Sequence, residues 1–366
     1  MKNTSTLQCL GITACLTLGS AHAQPSVSVA SGIERIENPS LASVSPGGTT
    51  VLRIAPDYTL ETLGDRYRSR LSLGAVLERS SNTALVPSRN FPSLGYTWAY
   101  GWPTAGVELR TNLAESATRN SQLLDLGRIT VDSRERSVVA GARWNQELTE
   151  RTRLTMDVAS TRVSYDSILL QGYRELVVSS QLSWEATDRM AYFLEPTYRR
   201  LTPLSAGEES TQIRWLAGTR GDLSPEWSLA AFAGQARTKG SQTATGTLSG
   251  LQLTYAGSRL SSGVEWSRDV AATGTASGYI RTEALGLRLA YQVAEGATLS
   301  ATVTNSRSEG VAGGRGRVSG LSLDNVLGAR WSSTLGIEDR WSRGSSGSSA
   351  RGWSVRAGLI YAYPGR

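Results

Sequence analysis

The chain has almost no cysteine, histidine or lysine. Both cysteines, Cys9 and Cys15, and the single histidine, His22, lie in the first 23 of its 366 residues. That opening reads as a secretory signal: Lys2 in a short polar start, the apolar run LGITACLTLG, then SAHA before Gln24, with the small residues a signal peptidase needs. A lipoprotein cleavage box ending at Cys15 is the competing reading, and the apolar run continues past it. The expected mature chain, residues 24–366, then has neither cysteine nor histidine. This excludes disulfides, a thiol nucleophile, cysteine or histidine metal sites and a histidine general base.

Long hydrophobic runs are missing as well. After the signal, no stretch approaches the roughly 18 to 20 apolar residues of a membrane helix. Only a closed barrel remains as a way to cross a membrane, because helices and barrels alone satisfy every backbone polar group in lipid. Past Lys2 the only lysine is Lys239, so the formal charge, which falls from +7 to +6 when Lys2 is removed, is carried by arginine. The arginines are spread along the chain, not gathered into a patch or tail, which argues against a nucleic-acid partner.

The chain also lacks a phosphate-binding glycine loop, metal-ligand spacing and a nucleophile motif. Its glycines are scattered singly in strands and loops, where turns and close backbone approach explain them. The paired acids Glu208 and Glu209 read as a polar loop tip. No catalytic, metal or cofactor-binding residue is assigned, and the chain is read as non-enzymatic. An acid-based site such as Asp157 with Glu185 is the residual enzymatic option.

What the chain does have is alternation. In LGLRLAYQVAEGATLSATV, Leu285, Leu287, Leu289, Tyr291 and Val293 share one face, and Gly286, Arg288, Ala290 and Gln292 share the other. After the Glu295–Gly296 turn, Leu299, Ala301 and Val303 oppose Ser300, Thr302 and Thr304. The same pattern recurs from Tyr67 to the final strand, where Trp353, Val355, Ala357, Leu359 and Tyr361 oppose Ser354, Arg356 and Gly358.

Short connections fall near Gly64, Trp102, Glu150, Asp188, Pro225, Ser258, Gly296 and Ala329, mostly about 34 to 38 residues apart. Longer polar stretches lie between them, as short periplasmic turns and long extracellular loops would give. Trp102, Trp144, Trp184, Tyr192, Trp227, Tyr255, Tyr291 and Trp331 collect near the short turns, as at a membrane interface.

The predicted fold is all-β: a transmembrane antiparallel up-and-down β-barrel of about 18 strands, or about 16 if the first two segments lie outside the wall. In such a barrel an arginine at mid-strand must point inward. Arg68, Arg70, Glu108, Arg110, Arg143, Asp157, Arg214, Glu265, Arg288 and Arg356 are therefore the candidate pore-lining residues. Paired across strands, these charges would fill the lumen. Left free, the arginines would favour anions in a wet pore.

The opening SVSVASGIERIENPSL, followed by LRIAPDYTLETLGDRYRSRLSLGAVLERSSN, resembles the start of outer-membrane barrels encoded with exopolysaccharide systems in proteobacteria. The later WNQELTERTRLTMDVASTRVSYDS is similar to a hairpin of that family. The family's usual Asp-Asn after strand one is Glu37-Asn38 here, and the aromatic expected as the last residue would be Tyr363, three residues early.

The resemblance implies a non-enzymatic barrel in the outer membrane, surrounded by its lipid, that exports or assembles an anionic polysaccharide with periplasmic polysaccharide-export partners. A general diffusion porin is the first alternative. Its mark would be a long loop folding into the lumen, for which NLAESATRNSQLLDLGRITVDS, residues 112–133, is the candidate. A structural or adhesive barrel with a plugged lumen is the second.

Overall fold

A computed structural model of the protein describes residues 22–363 except 128, 130, 206, 241–243, 273–277, 310–312 and 345–346. Its elements begin with β1 (His22–Glu37), β2 (Gly48–Leu63), β3 (Tyr67–Ser80), β4 (Arg89–Gly101), β5 (Ala105–Ala117) and α1 (Thr118–Leu126). Then come β6 (Arg134–Thr149), β7 (Thr152–Tyr165), β8 (Tyr173–Thr187), β9 (Met190–Pro203), β10 (Ser210–Asp222), β11 (Trp227–Lys239) and β12 (Ala244–Ala256). The chain closes with β13 (Leu260–Ala272), β14 (Tyr279–Ala294), β15 (Ala297–Ser308), β16 (Gly314–Val326), β17 (Trp331–Gly344) and β18 (Ser349–Tyr363).

All strands join one 18-stranded antiparallel sheet in which sequence neighbours pair and β1 pairs with both β2 and β18. The sheet is therefore a closed barrel without edges. The 16-strand alternative is excluded, because β1 and β2 are part of the wall. The register of β1 reaches back to His22, which faces Leu63, so a mature chain starting at Gln24 begins inside this strand. The rest of the expected signal lies outside the described residues.

Every expected short turn is found, and all of them lie at one end of the barrel, because each joins an even-numbered strand to the odd-numbered strand that follows it. The Glu295–Gly296 turn is the tightest kind. Gly296 has φ of 75°, the left-handed conformation that glycine takes without strain, and the ladder bulges between Gln292 and Ala294 to reach it.

Alternation sets the faces as the sequence predicts. Leu285, Leu287, Leu289 and Tyr291 are exposed on the outside, as are Leu335, Ile337, Val355 and Leu359. Exposed apolar side chains on so many neighbouring strands form a continuous belt suited to lipid, not water.

At the turn end the belt is bordered by outward aromatic pairs: Trp184 with Tyr192 at 6.2 Å, Trp227 with Tyr255 at 5.0 Å, and Trp331 with Tyr361 at 5.0 Å between centroids. These are direct cross-strand neighbours, so the girdle also stabilises the register. Strands run from 12 to 16 residues, longer than the roughly 9 to 11 that span a bilayer. The surplus stands at the loop end.

Leu287→Arg, in mid-strand on the outer face, is expected to lower stability by about 2–4 kcal/mol. Ser322→Arg, on the inner face, should stay within about 0.5 kcal/mol. Denaturant titration of the barrel folded in lipid vesicles compares the two, and equal losses would mean that the faces are assigned wrongly.

Candidate functional site

The lumen of β13–β18 is lined by small side chains. Ser267, Gly286, Thr302, Gly320, Ser322, Thr334, Gly336 and Gly358 occupy inward positions and leave the interior of this side open. The opposite side, β5–β10, carries longer charged groups.

One segment crosses between the two sides. Residues 112–133 are not a plain loop as expected: β5 continues to Ala117 and the helix α1 follows directly. The helix starts in a Thr-Ser clasp, in which Ser133 N donates to Thr118 Oγ1 at 2.9 Å and Thr118 Oγ1 donates to Val131 O at 2.6 Å. It ends at Gly127, whose φ of 72° gives a left-handed cap with its N–H on Leu123 O.

The far end docks on β15 and β16. Ser306 Oγ donates to Leu123 O at 2.9 Å, and Gly127 lies so close to the β16 backbone that a Cβ would come within 2.7 Å of Gly314 C. A Cβ on Gly316 would come within 2.8 Å of Leu123 O, so two glycines make the contact possible. In a closed ring of 18, β5 and β15 are nearly opposite. The helix therefore spans the lumen near its loop end, with Leu124 and Asp125 on its exposed side.

The near end is held by a chain of alternating charges. Glu34 bonds Arg53 at 2.7 Å, Arg53 bonds Glu78 at 2.8 Å, and Glu78 bonds Arg119 at 2.6 Å. Arg119 bonds Asp132 at 3.0 Å, and Asp132 bonds Arg89 at 2.8 Å. Arg119 is only 3% exposed. Burial works against its charge, but the Asp132 and Glu78 carboxylates outweigh that and hold its pKa above the usual arginine value. Three acids and three arginines leave no net charge, so the chain acts as a latch.

A second element narrows the same end. Pairing of β12 with β13 stops at Ser249 and Arg268, and pairing of β14 with β15 stops at Thr282 and Ser308. Beyond these points the paired ends of β13 and β14 leave the wall and pack inside. Val270 joins Leu216, Ala236 and Leu248 in an apolar cluster, and Tyr279 donates to Glu175 at 3.1 Å. Arg199 donates to Val270 O at 3.2 Å and lies 5.6 Å from the centre of the Tyr279 ring.

All ten expected pore-lining residues occupy inward positions, but they differ in whether their charge is free. Arg110 bonds Asp157 at 2.8 Å and lies 3.8 Å from Glu108, and Arg143 bonds the same Asp157 at 3.2 Å. Arg214 sits between Glu195 and Asp269, and Arg68 pairs with Glu61. Arg70, Arg288, Arg356 and Glu265 form no ion pair among the described residues. Asp157 is engaged by two arginines and does not stand beside Glu185, since it faces Ser179 across the ladder.

Both expected arrangements are thus present: Arg110, Arg143 and Arg214 are paired, whereas Arg70, Arg288 and Arg356 have no ion pair among the described residues. Counting inward positions, acids outnumber arginines, and much of the chain's basic excess points outward at the loop end. Arg119 and Ser306 escape sequence reasoning because neither has a local signature. The one available signal is the Gly314-x-Gly316 spacing at the start of β16.

No family model and no curated protein matches the chain. Solved structures do. Pseudomonas aeruginosa OccK7 (OpdD) aligns with a TM-score of 0.54 and 13% identity over 95% of this chain and 100% of its own. The outer membrane protein OpdK of the same organism gives 0.53 and 10% over 94% and 99%, and has also been solved with vanillate. Acinetobacter baumannii OccAB4 gives 0.53 and 10% over 93% and 98%. The shared feature is the fold. This protein is an 18-stranded antiparallel β-barrel of the kind those chains form.

Removing one partner of a buried ion pair costs about 3–5 kcal/mol, so Glu78→Gln should release the near end of α1. Gly316→Val should push the far end off β16. Trypsin digestion of the folded barrel is expected to cut after Arg119 about tenfold faster in either variant, with the strand signal in circular dichroism unchanged. Unaltered cleavage in both would show that other contacts hold the segment.

Proposed function

We propose that this protein, exported by residues 1–23, is a passive channel of the bacterial outer membrane for small polar solutes, a porin-like barrel without catalysis. The observation that carries this reading is α1, fastened at both ends and lying across the lumen. A loop folded inward is the feature expected of a diffusion porin. The likeness to outer-membrane barrels such as OpdK supports the location, and the apolar belt and aromatic girdle suit it.

Solutes that pass α1 meet a polar interior. On one side a recess of 660 Å³ is lined by Glu108, Arg143, Asp157, Gln181, Glu195 and Arg220. On the other a recess of 430 Å³ holds Arg288 and Glu265 among serines, threonines and glycines. Paired charges on the first side contribute hydrogen bonds but little field. Free Arg288 and Arg356 on the second give an anion its stepping points, and Glu265 does the same for a cation, so discrimination by charge should be modest. Vanillate, found with OpdK, is a small aromatic carboxylate of the size class such a passage would admit.

Export of an anionic polysaccharide with periplasmic partners is the competing reading. It draws no support from the comparisons, and a polymer would need the width that α1 occupies.

Single-channel recording in a planar bilayer tests both. The wild-type barrel should conduct in potassium chloride, and Arg288→Gln with Arg356→Gln should shift the reversal potential toward cation preference and weaken block by vanillate. Block by an anionic oligosaccharide with none by vanillate would favour export. The absence of current from a folded barrel would overturn the channel reading.

A further inference from the structure

The chain's uncompensated positive charge concentrates outside the barrel, at the loop end. On the outer faces of β15, β16 and β17, Arg307 stands directly opposite Arg315, and Arg315 directly opposite Arg343. Antiparallel neighbours lie about 5 Å apart, so three guanidinium groups share one row. All three are exposed, and none lies within ion-pair distance of a carboxylate among the described residues.

Glu283 stands opposite Arg307 on β14 but accepts from Trp266 Nε1 at 3.1 Å, and the adjoining connections offer little else. Residues 309–313 and 345–348 contain a single acid, Glu309, and it pairs with Arg281 at 3.1 Å. Like charges directly opposite on a sheet destabilise it. The same wall can avoid this: four residues lower on β17, Asp339 sits between Arg351 at 2.6 Å and Arg317 at 3.8 Å.

The row also borders a space. Arg307, Arg315 and Arg343, with Ser308, Gly313 and Gly344, line a recess of 380 Å³, and the glycines add no side chains to fill it. Its height on the wall is set by the residues below. Going outward along β15, Val303 is followed on the same face by Asn305 and Arg307, and along β17 Ile337 is followed by Asp339, Trp341 and Arg343. The step from Val303 to Arg307 is four residues, about 13 Å, and that from Ile337 to Arg343 is six, about 20 Å, both less when tilted. The row therefore stands just above the lipid-facing belt, at headgroup level, with Trp341 at the interface beneath it.

We infer that the Arg307–Arg315–Arg343 row is a binding site for the phosphate group of an anionic glycolipid headgroup in the leaflet around the loop end. Arginine forks match phosphate oxygens, and three of them can share one or two phosphates. A bound phosphate replaces repulsion along the row with attraction. The site faces the membrane and not the lumen, which separates it from the solute path, and the acyl chains of the same lipid would lie along Val303, Leu321 and Ile337 below. The inference rests on the outer-membrane reading given above.

The test uses the full mature barrel in zwitterionic micelles, titrated with lipid A carrying its phosphates or with the same lipid dephosphorylated, and followed by tryptophan fluorescence and the thermal unfolding midpoint. Wild type should bind the phosphorylated form about tenfold more tightly and gain thermal stability from it. Arg307→Gln with Arg315→Gln and Arg343→Gln should abolish that preference, and without lipid it should unfold at a higher temperature than wild type. A control that removes as many outward arginines, each with a carboxylate partner (Arg35→Gln, Arg134→Gln and Arg351→Gln), should keep the preference. Equal binding by the triple variant and wild type, or an equal loss in the control, would overturn the site. Displacement of the lipid by inorganic phosphate alone would reassign it to free anions. Planar-bilayer current is recorded on the same samples: the triple variant should conduct like wild type, so a barrel that binds lipid without conducting counts against the channel and not against the row.

Discussion

The antiparallel ladder between β1 and β18 turns an open sheet of eighteen strands into a wall without edges. In lipid every backbone N–H and C=O needs a partner within the protein, and only closure gives the outermost strands theirs. Once the ring is shut, the pleat assigns each residue to lipid or lumen, and the exposed leucines outside and the serines, threonines and charges inside follow from that. The lumen exists because the ring is too wide for side chains from the wall to fill it.

That leftover width is what α1 and the β13–β14 tip occupy. Each is held by different physics. The helix is fastened by buried charges at one end and by two glycines and a serine at the other, so it can sit in a wet interior without a large apolar face. The hairpin tip instead buries Val270 and packs Tyr279 against the opposite wall. Both act at the loop end, which leaves the turn end open.

Charge is distributed by the same logic. On the side of the lumen where strands carry both signs, carboxylates neutralise Arg110, Arg143 and Arg214. Where side chains are small, Arg288 and Arg356 form no ion pair among the described residues. The outer rim aligns Arg307, Arg315 and Arg343, which form no ion pair among the described residues, where the wall emerges from the lipid belt.

The wall was legible in the sequence to a large degree. Period-two alternation, the eight short turns and the aromatics beside them are local features, and the strand on which each candidate arginine lies follows from them, as does its inward direction. The loop of residues 112–133 was recognisable as unusual only by its length. Its helix has no capping side chain and little amphipathic character, and nothing near it in sequence shows that Glu78 and Ser306 are its partners.

By itself the sequence determined the closed all-β wall, its two faces and its two unlike ends, because those depend on neighbours one or two residues, or one hairpin, away. The tertiary structure alone decided which charges are cancelled, what crosses the lumen and which arginines line up outside. Those outcomes depend on residues such as Ser306 and Leu123, 183 positions apart, that meet only after the ring has closed.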